Sequence, residues 1–286
     1  VYMAIINLIL YLIINVINIP INYKILNFSG IPLQKSYLYI FFTGPKLIMF
    51  NRILTRIQGV FWEPGLYQIF LNLALLSYLF QEKKHKKKII FILIVSIILT
   101  YSTTGYILGI VLIFIKLLAM IRDMKNNKIL KFLLITFMPI ITLICIYFAL
   151  KIMILKINAG INYGNKSYSI RTTDLIDCAK QFLKTPIIGS GFFNYSVLPR
   201  KGSVNGLFSI FYQTGIIGTF ILLVIPMKRL FGKFKKEICL EFAIGFILWL
   251  IMSLMNEPIQ YSNFILMIIS YGYLFNYEKY NKNKFF

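Results

Sequence analysis

The side chains able to do chemistry gather in two stretches of this sequence of 286 residues. The first is Arg52-Ile-Leu-Thr-Arg56-Ile-Gln-Gly59-Val-Phe-Trp62-Glu63-Pro64-Gly65, in which two arginines precede an acid at the mouth of an apolar run. The second holds Arg171, Asp174 and Asp177, then Thr185-Pro-Ile-Ile-Gly189-Ser-Gly191, and ends at Asn205 just ahead of another apolar run. A guanidinium binds anions bidentately and keeps its charge through a reaction, so arginines grouped on polar loops suggest an anionic substrate. Each stretch also has a structural reading. Pro64 suits a first helical turn, which puts Glu63 at a helix N-terminus where the macrodipole favours its charge by about 0.3–1 kcal/mol. Residues 171–184 read as a short amphipathic helix. Leu175, Ala179, Phe182 and Leu183 turn to the membrane, and Asp174, Asp177 and Lys180 turn away. Spaced at i and i+3, the two aspartates can pair with Arg171 or with Lys180 and Lys184. Gly189 and Gly191 permit a tight turn close to a ligand, but a lone Gly-x-Gly carries no nucleotide signal.

Other chemistries find no support in the sequence. It has no nucleophile motif, P-loop or cluster of metal-ligating residues, so neither metal nor cofactor is expected. The single histidine, His85, lies in a run of lysines, and Cys145, Cys178 and Cys239 have no metal or redox spacing. Proton transfer on the face that carries the two stretches therefore falls to a carboxylate, a tyrosine or the substrate itself.

The elements that hold these residues follow from composition. The chain is 58% hydrophobic and 14% charged, with a mean hydropathy of +0.75. A soluble domain carries about 25% charged residues, so the composition indicates a polytopic, all-α membrane bundle. Eight apolar runs come near the length of about 20 residues that a spanning helix needs: 1–19, 64–80, 89–104, 106–121, 129–150, 207–227, 238–255 and 261–277. Ser102-Thr103-Thr104-Gly105 breaks an apolar stretch too long for one crossing into two helices. The net charge of +22 does not signal nucleic acid, because many cations sit in short loops between apolar runs. With eight alternating spans, four basic segments fall on one side, the cytoplasmic side by the positive-inside rule. They are Lys83–Lys88, Arg122–Lys131, Lys228–Lys236 and Lys279–Lys284. The outer face then receives two larger loops, 20–63 and 151–207. Within the first, the apolar segment 36–50 either lies flat at the interface or dips into the membrane. Residues 1–286 read as one integral-membrane domain. Because Val1 already lies in an apolar run, helices N-terminal to it are expected to be missing.

Three stretches together resemble the O-antigen polymerase and O-antigen ligase family of integral-membrane glycosyltransferases. They are Arg56-x-x-Gly59-x-x-x-Glu63-Pro64-Gly65, the Ser102–Gly105 turn, and a run from Arg171 through Pro186-x-x-Gly189-x-Gly191 and Asn205 to Gln213-Thr-Gly-Ile-Ile-Gly218. The resemblance covers residues 56–218. It implies an enzyme of the bacterial plasma membrane that works on undecaprenyl-pyrophosphate-linked glycans at the outer leaflet, without metal or nucleotide sugar. A chain-length regulator protein is a further partner it implies. Polymerases of this kind transfer a growing chain onto the next lipid-linked repeat unit; ligases transfer it onto lipid A core. On this reading Arg52, Arg56 and Arg171 hold the pyrophosphate leaving group, while Gly189, Gly191 and Asn205 help bind substrate. Ligase-like members tend to carry a histidine just before the asparagine, where this chain has Val204. That favours a polymerase that uses a carboxylate as base, with Glu63 first and Glu257 or Asp174 behind it. A transporter of lipid-linked oligosaccharide is the alternative from another class. It would place ionisable residues in mid-span or show paired broken helices, whereas here mid-span charges are absent and polar residues gather in the two outer loops.

Overall fold

A computed structural model describes residues 1–26, 34–43, 47–49, 52–81, 85–123, 136, 143, 147, 150–151, 154, 167–199 and 202–282. Most of the run 129–150 and several basic residues, among them Lys83, Lys84, Lys125, Lys128, Lys131 and Lys284, lie outside the described residues. The fold is mostly helical and divides into two compact units, Val1–Ala159 and Gly160–Phe286.

The first unit opens with α1 (Tyr2–Tyr11), which continues as a π-helical turn (Leu12–Val16). Five short strands follow: β1 (Tyr23–Leu26), β2 (Gln34–Tyr37), β3 (Phe41–Thr43), β4 (Leu47–Met49) and β5 (Arg52–Leu54). The first three form an antiparallel sheet in the order β1-β2-β3, and the last two form a hairpin. This corrects the expectation of an all-α chain: the described residues of segment 36–50 lie in short antiparallel β-strands and the turn between two of them. Cross-strand contacts account for it. Tyr23 faces Tyr37 in the register, their rings 5.7 Å apart, and the Lys35 ammonium sits 4.1 Å from the centre of the Tyr23 ring. Leu38 and Tyr39 make the β2–β3 turn at positive φ, a conformation unusual for bulky side chains.

Helices α2 (Pro64–Phe80), α3 (Lys86–Leu99) and α4 (Thr103–Asp123) follow, with α2 packed on both α3 and α4. Its core includes Ile69, Leu75, Leu76, Leu93 and Leu112, all fully buried. As expected, the apolar stretch breaks at Thr100–Ser102, where the Ser102 hydroxyl accepts from the Gly105 N–H at the start of α4. Gly105 lets α4 approach α2 closely, and Asn72 donates to the Gly105 carbonyl at 3.3 Å.

The second unit begins with α5 (Ser167–Lys184) and a 3₁₀ turn (Tyr195–Val197). One long helical rod, kinked at Gly215, follows, made of α6 (Gly206–Thr219), a π-helical turn (Phe220–Val224) and α7 (Ile225–Glu237). Helices α8 (Leu240–Asn256) and α9 (Asn263–Lys282) pack on α7. Trp249, Ala243 and Ile265 form part of the core, and Gly272 admits Pro226, which a Cβ there would approach to 2.6 Å. The basic segment Lys228–Lys236 is thus helical rather than a loop. Its cations extend α7 and place Lys235 and Lys236 in the last turn, where they complement the helix dipole. Among the described residues, helices Thr103–Arg122 and Gly206–Glu237 are long and apolar enough to cross a membrane. Tyr2–Val16, Pro64–Phe80, Leu240–Asn256 and Asn263–Tyr273 are apolar but shorter.

Candidate functional site

Arg171 lies in the first turns of α5, and its guanidinium is held by the end of α8. Nη1 donates to the Asn256 carbonyl at 2.7 Å and to Asn256 Oδ1 at 2.8 Å, and Nη2 lies 3.5 Å from Glu257 Oε1. Glu257 is fixed in turn by the Asn256 side-chain amide at 2.9 Å. Both Nη1 hydrogens are therefore occupied, and one Nη2 hydrogen leans on the carboxylate. The other edge of the fork, Nε–H with the second Nη2–H, has no partner among the described residues. Arg171 is 39% exposed, whereas Glu257 is 6% exposed. A guanidinium seated in this way retains, on its second edge, the two-donor geometry that matches a two-oxygen anion.

The acid expected to balance Arg171 along its own helix does something else. Asp174 is buried, and its Oδ2 accepts from the Ser203 hydroxyl (2.9 Å) and from the Val204 and Asn205 N–H groups (both 3.1 Å). Asn205 caps α6, its Oδ1 accepting from the Phe208 N–H at 3.0 Å. Asp174 and Asn205 thus organise the entry into α6. This reverses part of the expected face of α5. Phe182 packs inward against Phe211, with ring centres 6.1 Å apart, while Leu183 and Lys180 are exposed. The loop's demand for an acceptor draws the polar edge of the helix inward. Cys178, one turn on from Asp174, is buried, and its thiol pKa is pushed up to about 12. Burial is the main cause. The charges of Asp174 and Asp177 add to it, and the bond with Ser203 opposes it in part.

The two glycine motifs are each other's partners. At Gly215 (φ 63°, ψ −170°) the α6 helix breaks. The carbonyls of Tyr212 and Gln213 lose their helical donors and accept instead from the Ser190 (2.8 Å) and Gly191 (2.9 Å) N–H groups. The N–H groups of Ile216 and Ile217 donate to the Pro186 (2.8 Å) and Ile187 (3.2 Å) carbonyls. The turn thus bridges the gap in the helical ladder with four backbone bonds. Contact is so close that a Cβ at Gly189 would meet the Gln213 carbonyl oxygen at 2.4 Å, and one at Gly215 the Ile187 oxygen at 2.3 Å. Gly189 therefore serves this junction, and Gly191 contributes its N–H to it while its α-carbon faces open space. Nearby, Gln213 accepts from the Tyr261 hydroxyl at 2.6 Å and from the Phe193 N–H at 3.1 Å.

In the first unit, Arg56 donates through Nε to the Thr100 carbonyl (3.0 Å) and through Nη2 to the Tyr101 carbonyl (3.4 Å). The edge that would grip an anion is occupied by the C-terminus of α3, where a cation complements the dipole. The backbone of Arg52 pairs with Met49 in the β4–β5 hairpin. Glu63 occupies the N-cap position of α2, as expected, with Pro64 beginning the helix, but its side chain makes no capping bond. Its half-buried carboxylate has no hydrogen-bond or ion-pair partner among the described residues.

Of the expected site residues, Glu63 has no side-chain partner and Arg171 has one unpartnered edge among the described residues, while Arg56, Gly189 and Asn205 are engaged in the fold. The contribution of Asn256 to Arg171 was not anticipated. A signal was there, because Asn256-Glu257-Pro258 repeats the Glu-Pro pair of Glu63-Pro64 at the edge of an apolar run. No family model matches this chain, and neither does any curated protein or solved structure.

Proposed function

We propose that this protein is a multi-pass polysaccharide polymerase of the bacterial plasma membrane, with eight spans and its basic segments in the cytoplasm. It transfers a glycan chain from undecaprenyl pyrophosphate to a lipid-linked repeat unit at the outer face. The observation that carries the reading is the Nε–Nη2 edge of Arg171, which has no partner among the described residues while Asn256 and Glu257 seat the rest of the guanidinium. In the reaction an acceptor hydroxyl attacks the anomeric carbon of the donor, and the bond to the pyrophosphate oxygen breaks. Arg171 stabilises the negative charge that develops on the departing phosphate. The hydroxyl proton passes to a carboxylate, the role that the sequence reading gives first to Glu63, whose side chain has no hydrogen-bond or ion-pair partner among the described residues. The membrane reading is supported by apolar side chains left uncovered on Thr103–Arg122, including Ile107, Leu118 and Met120.

The test is polymerisation of lipid-linked repeat units by purified protein in lipid. Arg171→Ala is expected to abolish long chains at normal protein abundance. Arg171→Lys is expected to restore only part of the activity, because an ammonium cannot form the two-point contact. Chains of wild-type length from Arg171→Ala would reduce this arginine to a clamp on the end of α8.

A further inference from the structure

The bridging turn presents more than backbone. Ile187 and Ile188 are exposed, Ile188 by 78%, and so is Phe193. The bonds from Ile216 and Ile217 to Pro186 and Ile187 set this turn directly beside Ile216 and Ile217, which are exposed on the rod Gly206–Glu237. One continuous apolar surface therefore runs from the rod onto the turn. Leu183, on the last turn of α5 just ahead of the turn, is 75% exposed. Lys180 and Lys184 are exposed on the same helix, within one turn of Leu183. A further observation points the same way: Phe192 and Phe193 line an apolar cleft of about 230 Å³ with Leu222 of the π-helical turn and Leu266 of α9.

We infer that the Thr185–Gly191 turn is a re-entrant membrane element. It dips into the acyl-chain region against the rod, while Lys180 and Lys184 meet lipid phosphates at the surface. This rests on the membrane-spanning reading proposed above. Non-helical backbone survives at membrane depth only where its polar groups are satisfied by protein. The four backbone bonds to the broken ladder of α6 meet that condition for the turn's Pro186 and Ile187 carbonyls and its Ser190 and Gly191 N–H groups. The pattern of side chains is the one such a position demands, with large apolar groups outward and cations set back along α5 toward the headgroups. Lipid is the partner that fits both the apolar face and its flanking lysines.

The experiment places an environment-sensitive fluorophore on a single cysteine at Ile188, or at Ile217 as reference, in the full chain without its three native cysteines. The protein is reconstituted in phosphatidylethanolamine–phosphatidylglycerol vesicles. Some preparations carry nitroxides on the acyl chains, and others receive aqueous iodide. The probe at Ile188 is expected to lose emission to the acyl-chain nitroxide as strongly as the probe at Ile217 and to resist iodide. Quenching of Ile217 by nitroxide with quenching of Ile188 by iodide would overturn the re-entrant turn and leave the span intact. Quenching of both by iodide alone would overturn the membrane reading itself. Shielding of Ile188 from both quenchers, with energy transfer between copies, would make the covering partner a second chain and overturn the lipid contact. Should Ile188→Cys fail to fold, Ile187→Cys gives the same readout from the neighbouring exposed position of the turn.

Discussion

At the scale of single residues, the polar groups divide into those that hold the fold and those left with something to bind. Asp174 and Arg56 look as catalytic as Arg171 and Glu63 in the sequence, because charge and spacing say nothing of which edge of a side chain is occupied. Asp174 serves two backbone N–H groups and a hydroxyl, and Arg56 two carbonyls. The partner of Arg171 was hidden for another reason: Glu257 lies 86 residues further along the chain. Glu63 separates the remaining possibilities. Glu63→Gln keeps the shape but cannot take a proton, so a loss of about 10²–10⁴-fold in polymerisation is expected of a general base. An effect of only a few tenths to 1 kcal/mol on stability, with activity retained, would mark a mere helix-end charge, for which about 0.3–1 kcal/mol is typical.

Cys178 gives a second prediction at this scale. Its thiolate is suppressed up to about pH 12 in the folded protein, against an ordinary value of 9.0. Between these values the unfolded chain releases a proton that the folded chain retains. The contribution of Cys178 to stability is therefore full below pH 9 and declines as pH rises through that window. Alkylation followed by mass spectrometry at pH 8 should leave Cys178 unmodified until the protein is denatured. Rapid modification of the native protein would contradict its burial against Tyr212 and Leu198.

At the scale of elements, the helices were legible because long apolar runs bounded by polar breaks leave few alternatives. The helix Pro64–Phe80 has the bounds of the apolar run read from the sequence, and the break at Ser102 lies where the polar cluster put it. The β-ribbon was not legible. Its strands are three or four residues long, and Leu38-Tyr39 makes a turn without the Asn-Gly or Gly-Gly pair that would announce one. The glycine motifs were visible as turns, but not as partners of each other. A ranking of substitutions follows from that partnership. Gly191→Ala meets no atom within 4 Å and should cost only the left-handed conformation, about 1–2 kcal/mol. Gly189→Ala and Gly215→Ala add a backbone collision and should lower the unfolding midpoint much further, as read by thermal unfolding in detergent.

At the scale of the whole molecule, the distribution of charge is the property to test. If the basic segments share the cytoplasmic side, single cysteines at Asn22 and Ser196 should react with an impermeant thiol reagent from the outer face. One at His85, beside the lysine run, should react only after permeabilisation. The reverse pattern would invert the topology. All three positions are exposed, so a failure to label reports sidedness rather than burial.

The junction between the bridging turn and the broken helix also limits how such a chain can vary. Each glycine's absent side chain is the space filled by the other segment's backbone, so neither position can drift alone and a change at one cannot be rescued by trimming a neighbour's side chain. In chimeras made with a homologue, segments 185–191 and 212–217 have to be exchanged as one cassette. A crossover placed between them is expected to yield misassembled protein even where both parents fold, and the intervening residues 192–211 should tolerate exchange more freely only when the cassette on either side comes from a single parent.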